Sequence, residues 1–282
     1  MAKIQLVTDS TSGIPQELLE QLNIETVPIN IIWDGQTFAD GMDLSREEFF
    51  ARMRTAYHVP STAAPTPGAF HDLFERLGKG GNTILAILMA REFSSTIQTA
   101  EIAAKLQAEQ EIVVWDSQSI SMGLGFQVLA AARALAQGQS LEDVLAMLRE
   151  LRQRSGLFIT VEDLSFLRRG GRLSRSQYLI ANAIGYRPVL EVRGGPMLSA
   201  DRVRGKRAVR ARMVDLVEER VGGQRPLRLA VGYTDNKDEA ASFLQQVEQE
   251  LKPDEALLVP VSQANSVHGG PGALGISYSF GV

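Results

Sequence analysis

Five short stretches carry the side chains whose types and spacing could do chemistry. Thr8-Asp9-Ser10-Thr11-Ser12 combines a carboxylate with four hydroxyls. Such a run caps a following helix, or it lines a ligand site at the end of a strand. Ser61-Thr62-Ala63-Ala64-Pro65-Thr66-Pro67 is a rigid turn. It reads as a helix-capping loop or as a place where Thr62 meets an anion. Phe93-Ser94-Ser95-Thr96 lies between an apolar run and a helix start. The first N–H groups of a helix lack partners and carry the positive end of its dipole, so a carboxylate or phosphate binds well there. A plain serine cap satisfies the same residues. Leu167-Arg168-Arg169-Gly170-Gly171-Arg172-Leu173 sets paired glycines between arginines. This is a tight basic surface turn or a close approach of guanidinium to an anion. Val267-His268-Gly269-Gly270-Pro271-Gly272-Ala273-Leu274-Gly275 brings a histidine into a glycine-rich turn. Its imidazole would donate to an anion or bond the backbone. The run lacks the Gly-Lys-Ser/Thr ending of a phosphate loop.

Composition removes several chemistries. The 282 residues include no cysteine, which excludes disulfides, thiolate metal sites and a cysteine nucleophile. The three histidines, His58, His71 and His268, do not have metal-ligand spacing, so no metal is expected. The net charge of −4 gives no basic field for nucleic acid. The first ten residues do not read as a signal peptide, and the longest apolar run, near 84–90, is too short to span a bilayer. A cytoplasmic protein is expected. Arg202, Arg204, Lys206, Arg207, Arg210 and Arg212 form a basic run. It reads as a solvated helix face or as a patch for phosphate or an acidic partner.

The elements that must position these residues follow from periodicity. Residues 3–7 alternate as a strand, and Asp34-Gly35 marks a hairpin between 27–32 and 36–38. Ser45 and Glu48 form a capping box. Thr66-Pro67 opens a helix whose Phe70, Leu73, Phe74 and Leu77 share a face. A strand over 83–89, a helix over 94–109 and a strand over 112–115 make a parallel unit. Helices follow over 121–137 and 140–153. Gly194-Gly195 joins a second hairpin, and a helix is expected over 206–221. Strands over 227–233, 256–261 and 276–280, with a helix over 237–251, complete the chain. The expected fold is α/β: a parallel-sheet α/β/α domain over 1–158 and an α+β domain with a mixed or antiparallel sheet over 159–282.

Taken in order, the five stretches resemble the DegV family over essentially the whole chain. TDSTSGIP resembles the family's TDSTSDLP opening, and VPINIIWDGQTFADG its hairpin. TAAPTP and SSTIQTA stand where the family has TSQPSP and SGTYQSA; FLRRGGRLS and HGGPGALG match almost literally. The resemblance implies a lipid tunnel that holds a long-chain fatty acid and no catalysis by this chain itself. It implies a separate DAK-type kinase subunit that phosphorylates the bound carboxyl. It also implies transient contact with a membrane or acyltransferase, and no cofactor beyond the lipid. Carried over by position, Thr62, Ser94, Ser95 and His268 would bind the carboxylate. Arg172 and Arg204 would meet the acyl-phosphate or the kinase. Ser95 replaces a glycine, Ala63-Ala64 replace Ser-Gln, and Met89-Ala90-Arg91-Glu92 replaces a small-residue segment. Two other readings remain: an acyl hydrolase with Ser94 as nucleophile and His268 as base, and a regulatory protein that binds through the basic run.

Overall fold

The computed structural model describes residues 3–55, 57–173 and 186–281. Ser174, the last residue of the FLRRGGRLS motif, lies outside them. Strand β1 (Ile4–Asp9), helix α1 (Gln16–Gln21) and β2 (Ile24–Val27) open the chain. Strands β3 (Asn30–Trp33) and β4 (Gln36–Ala39) form the expected hairpin, with Asp34 at φ 49° and Gly35 at φ 78°. That left-handed pair suits the twist of a two-residue turn. Helix α2 (Arg46–Thr55) begins at the capping box: Ser45 N–H donates to Glu48 Oε2 at 2.9 Å, and Glu48 N–H to Ser45 Oγ at 3.2 Å. Strand β5 (Ser61–Ala63), helix α3 (Pro67–Gly78), β6 (Thr83–Leu88), α4 (Thr96–Leu106) and β7 (Ile112–Asp116) follow.

Next come α5 (Ser121–Ala136), α6 (Leu141–Gln153), β8 (Ser155–Thr160) and α7 (Ser165–Arg169). Beyond them lie β9 (Arg187–Val192), β10 (Met197–Val203), α8 (Lys206–Val221) and β11 (Leu227–Tyr233). Helix α9 (Lys237–Leu251), β12 (Glu255–Pro260), α10 (Gln263–Gly269) and β13 (Leu274–Phe280) end the described chain.

The first sheet is parallel, in the order β2-β1-β6-β7. The second is mixed, β10-β9-β8-β13-β11-β12, with only β11 and β12 parallel. The small third sheet, β4-β3-β5, is antiparallel. The α/β architecture is the expected one. The division expected at 158 falls inside β8, whose pairing lies wholly in the second sheet, so the sheets part before Ser155.

Helix α5 lies between the two large sheets. Its faces toward them are mostly apolar, with Ser121 and Gln127 as buried polar exceptions, and almost the whole helix is buried, as expected for a helix without a polar stripe. Gly125 permits this: a methyl there would sit 2.6 Å from the Ser12 carbonyl oxygen. The second sheet separates two packings. Phe158, Val231, Ile276 and Tyr278 pack with α8 and α9 residues such as Val217 and Phe243. Alternate positions on the same strands point the other way, toward α5 and the first sheet.

Candidate functional site

Between the first lobe and the second sheet lies a partly open cavity, with about 880 Å³ of space between its walls and across its mouth. Met89, Phe93, Ile120, Leu157, Ile159 and Met197 supply much of its apolar wall. Thr62, Ser94, Arg172 and His268 also line it. Four stretches distant in sequence therefore meet at one place.

Strand β5 positions Thr62 by pairing it with Ile31 of β3. Its Oγ1 lies 2.8 Å from His268 Nε2. His268 rides on α10 near its end, not in an irregular turn as the glycines suggested. The turn reading fails because Ser262 caps a helix, accepting from Asn265 N–H at 3.1 Å, and the glycines begin only at its end. Burial, with Arg172 nearby, pushes the His268 pKa down to about 4, so the ring is neutral at pH 7. Its Nδ1 is buried and has no hydrogen-bond partner among the described residues.

Arg172 follows α7 and turns inward. Its Nε and Nη2 donate to the Phe93 carbonyl at 3.0 and 2.7 Å, and Nη1 donates to the Gly170 carbonyl. Desolvation lowers its pKa, yet a guanidinium stays charged. Among the described residues no carboxylate pairs with it. Gly170 brings α7 against the imidazole: a methyl there would overlap His268 Nδ1.

Ser94 stands one residue before Ser95, the N-cap of α4; its Oγ accepts from Thr96 N–H at 3.3 Å and lies 2.7 Å from Thr96 Oγ1. Ser95 is exposed and outside the cavity wall. Arg204 is also exposed and outside it, with its guanidinium 4.7 Å from the centre of the Tyr186 ring. In the basic run, Arg212 pairs with Asp201 at 2.6 Å and Glu219 at 2.8 Å, and Lys206 with Glu162 at 2.9 Å. These pairs favour the solvated helix face.

The TDSTS stretch works as a brace. Buried Asp9 accepts from Thr11 N–H at 2.9 Å and from Met89 N–H at 2.7 Å, joining the ends of β1 and β6. Ser10 Oγ donates to Asp40 Oδ2 at 2.6 Å, and Asp40 Oδ1 accepts from Ala264 N–H at 3.1 Å. Asp40 therefore caps the helix that carries His268. Its side chain is absent from the sequence candidates, because no local motif marks it. Ser121 and Ser277 on the cavity wall were missed for the same reason.

Fold and site together define an α/β protein with two large sheets, whose apolar cavity carries a cationic polar cluster. The family model described as "Uncharacterised protein, DegV family" matches residues 3–281. The chain belongs to the DegV family. It is 32% identical to a DegV domain-containing protein of Caldanaerobacter subterraneus, with 99% of each chain covered. A solved structure described as fatty acid binding of a DegV family protein from Thermus thermophilus superposes with a TM-score of 0.93. That protein is 31% identical, over 99% of each chain. The structure of DegV from Bacillus subtilis, described as a fatty acid binding protein, gives a TM-score of 0.92 at 27% identity over 100% of each chain.

Proposed function

We propose that this protein binds a long-chain fatty acid in the cavity, with the carboxylate at Thr62, Ser94, Arg172 and His268. The observation that carries the reading is Arg172: a partly buried cation without a carboxylate partner among the described residues, set in an apolar cavity. A fatty acid supplies the missing anion and an apolar chain for the wall. Each buried CH₂ contributes roughly 0.8 kcal/mol, so the chain dominates affinity while the head group sets orientation. The fatty-acid-binding descriptions of the Thermus and Bacillus relatives support this assignment.

The family resemblance extends the reading. The bound carboxyl is presented to a separate DAK-type kinase subunit for acyl-phosphate formation, and Arg172 offsets the added charge. Exposed Arg204 contributes to the kinase-facing surface, and the Ser95 N–H assists the head group. Two domains, expected from the sequence as 1–158 and 159–282 with their sheets parting before Ser155, close on the lipid in the cytoplasm, with transient membrane or acyltransferase contact. The hydrolase alternative gains no support from the geometry. His268 Nε2 bonds Thr62, and Ser94 Oγ bonds Thr96, so nucleophile and base are not joined.

Titration of delipidated protein with palmitate and oleate tests the binding step. Saturable one-to-one binding, weakened in Arg172→Ala, is expected. No binding of either acid contradicts it.

A further inference from the structure

The small sheet holds helix α10 at two points. Asp40 directly follows β4, and Thr62 lies in β5; both strands pair with β3 at Asn30. Asp40 Oδ1 accepts from Ala264 N–H at 3.1 Å, and Thr62 Oγ1 lies 2.8 Å from His268 Nε2. Ala264 and His268 stand one turn apart on the same face of α10, at positions i and i+4. The sheet that presents Thr62 to the ligand space therefore also fixes where α10 carries the imidazole past it.

The Asp40 bond is not what starts the helix. Ser262 caps α10 from within its own segment, accepting from Asn265 N–H at 3.1 Å. Asp40 takes a different first-turn donor, and it comes from 224 positions away in sequence. Its other oxygen, Oδ2, accepts from Ser10 Oγ at 2.6 Å, and Ser10 Oγ accepts from Ile29 N–H at 3.0 Å. One carboxylate thus ties α10 to the end of β1 and to the small sheet together. A carboxylate is costly to bury, and bonds to an ionised acceptor are shorter and stronger than neutral ones. Asp40 is only 3% exposed and stands outside the cavity wall, so it does not touch the ligand space. What it acts on is the place of the helix that carries His268.

We propose that Asp40 is a positioning residue for head-group recognition: through α10 it keeps the His268 imidazole in register with Thr62, so that the preference for a carboxylate over an uncharged head group depends on Asp40. This rests on the fatty-acid reading. The alkyl chain meets other walls of the cavity, so its share of the affinity does not depend on Asp40.

Displacement titrations of the full chain with palmitate and hexadecanol, which share an alkyl chain and differ in head group, test the proposal. Wild type should favour palmitate. In Asp40→Ala the palmitate-to-hexadecanol affinity ratio should fall roughly three- to tenfold, the range for one ordinary hydrogen bond, with hexadecanol affinity unchanged. Asp40→Asn keeps an acceptor oxygen for Ala264 N–H and should restore most of the ratio. In a His268→Ala background, removing Asp40 should lower the ratio no further, because effects of residues that act through one another do not add. Ser10→Ala releases Asp40 Oδ2 and should lower the ratio in part, which serves if Asp40→Ala folds poorly. An unchanged ratio, equal losses for acid and alcohol, or a loss that adds to that of His268→Ala would refute the positioning role while fatty acid binding stands. A wild type that binds acid and alcohol equally would refute it too. If wild type binds neither, the fatty-acid reading fails and the positioning role with it.

Discussion

His268 and Asp40 are displaced from their ordinary pKa values in opposite directions. Burial, then the charge of Arg172, takes His268 from 6.5 down to about 4. Between these values the unfolded chain holds a proton that the folded chain lacks, so acidification through that window lowers stability. Burial, offset by hydrogen bonds from Ser10 and Ala264 and aided by the nearby Asp9 charge, takes Asp40 from 3.8 up to about 6. There the folded chain holds the extra proton, and acidification raises stability. Each slope is at most about 1.4 kcal/mol per pH unit. Urea unfolding from pH 6.5 to 4 should therefore show Asp40→Asn losing stability on acidification and His268→Gln gaining it, relative to wild type. Parallel profiles for all three would contradict these assignments. Ser94→Ala should weaken fatty acid affinity by ~1–3 kcal/mol, as for a lost hydrogen bond to an ionised group, read by calorimetric titration. An unchanged affinity would remove Ser94 from the head group. Thr62, Ser94, Arg172 and His268 could be singled out in the sequence because each stands in a local motif. Asp40, Ser121 and Ser277 could not, since tertiary contacts alone give them their role.

At the scale of elements, the close approach of α7 to α10 fixes the imidazole. Gly170 has φ −71°, which any residue tolerates, so its need is steric. Gly170→Ala would drive its methyl into His268 Nδ1, and Gly270 stands similarly close to the Phe166 ring. The substitution should displace the imidazole and lower ligand affinity severalfold, with a downfield or upfield shift of the His268 ring protons in NMR spectra. Unaltered ring resonances would show that the α7–α10 contact does not hold the histidine. Longer elements were legible because period and capping agree, as in α3, where Phe70 and Phe74 are fully buried and Thr66 caps at 3.2 Å. The strand expected over 27–32 is instead two: Val27 closes β2, Asn30 opens β3, and Pro28, which has no N–H for a ladder, lies between them. Strand β5, three residues long, and helix α10 were too short for periodicity to reveal. Both carry head-group residues, so the site's supports were less legible than its side chains.

At the scale of the molecule, the cavity depends on how the lobes meet. Arg46 donates to the Val261 and Tyr233 carbonyls at 2.7 and 2.9 Å and to the Thr234 carbonyl. Gln263 bonds Gly41 N–H at 3.2 Å and the Leu44 and Ser45 carbonyls at 2.9 and 3.0 Å. These bonds lie beside the capped start of α10, which carries His268. The two-sheet architecture was legible because strand spacing and helix length separate a parallel from a mixed sheet. The cavity was not, because it arises where glycines and side chains of both halves face one another. The most direct measurement of the central claim is native mass spectrometry of the purified protein, followed by organic extraction of any ligand. A long-chain acid bound in one-to-one ratio, and reduced in Arg172→Ala, is the predicted result. A protein that emerges empty and stays empty after incubation with fatty acids would contradict it.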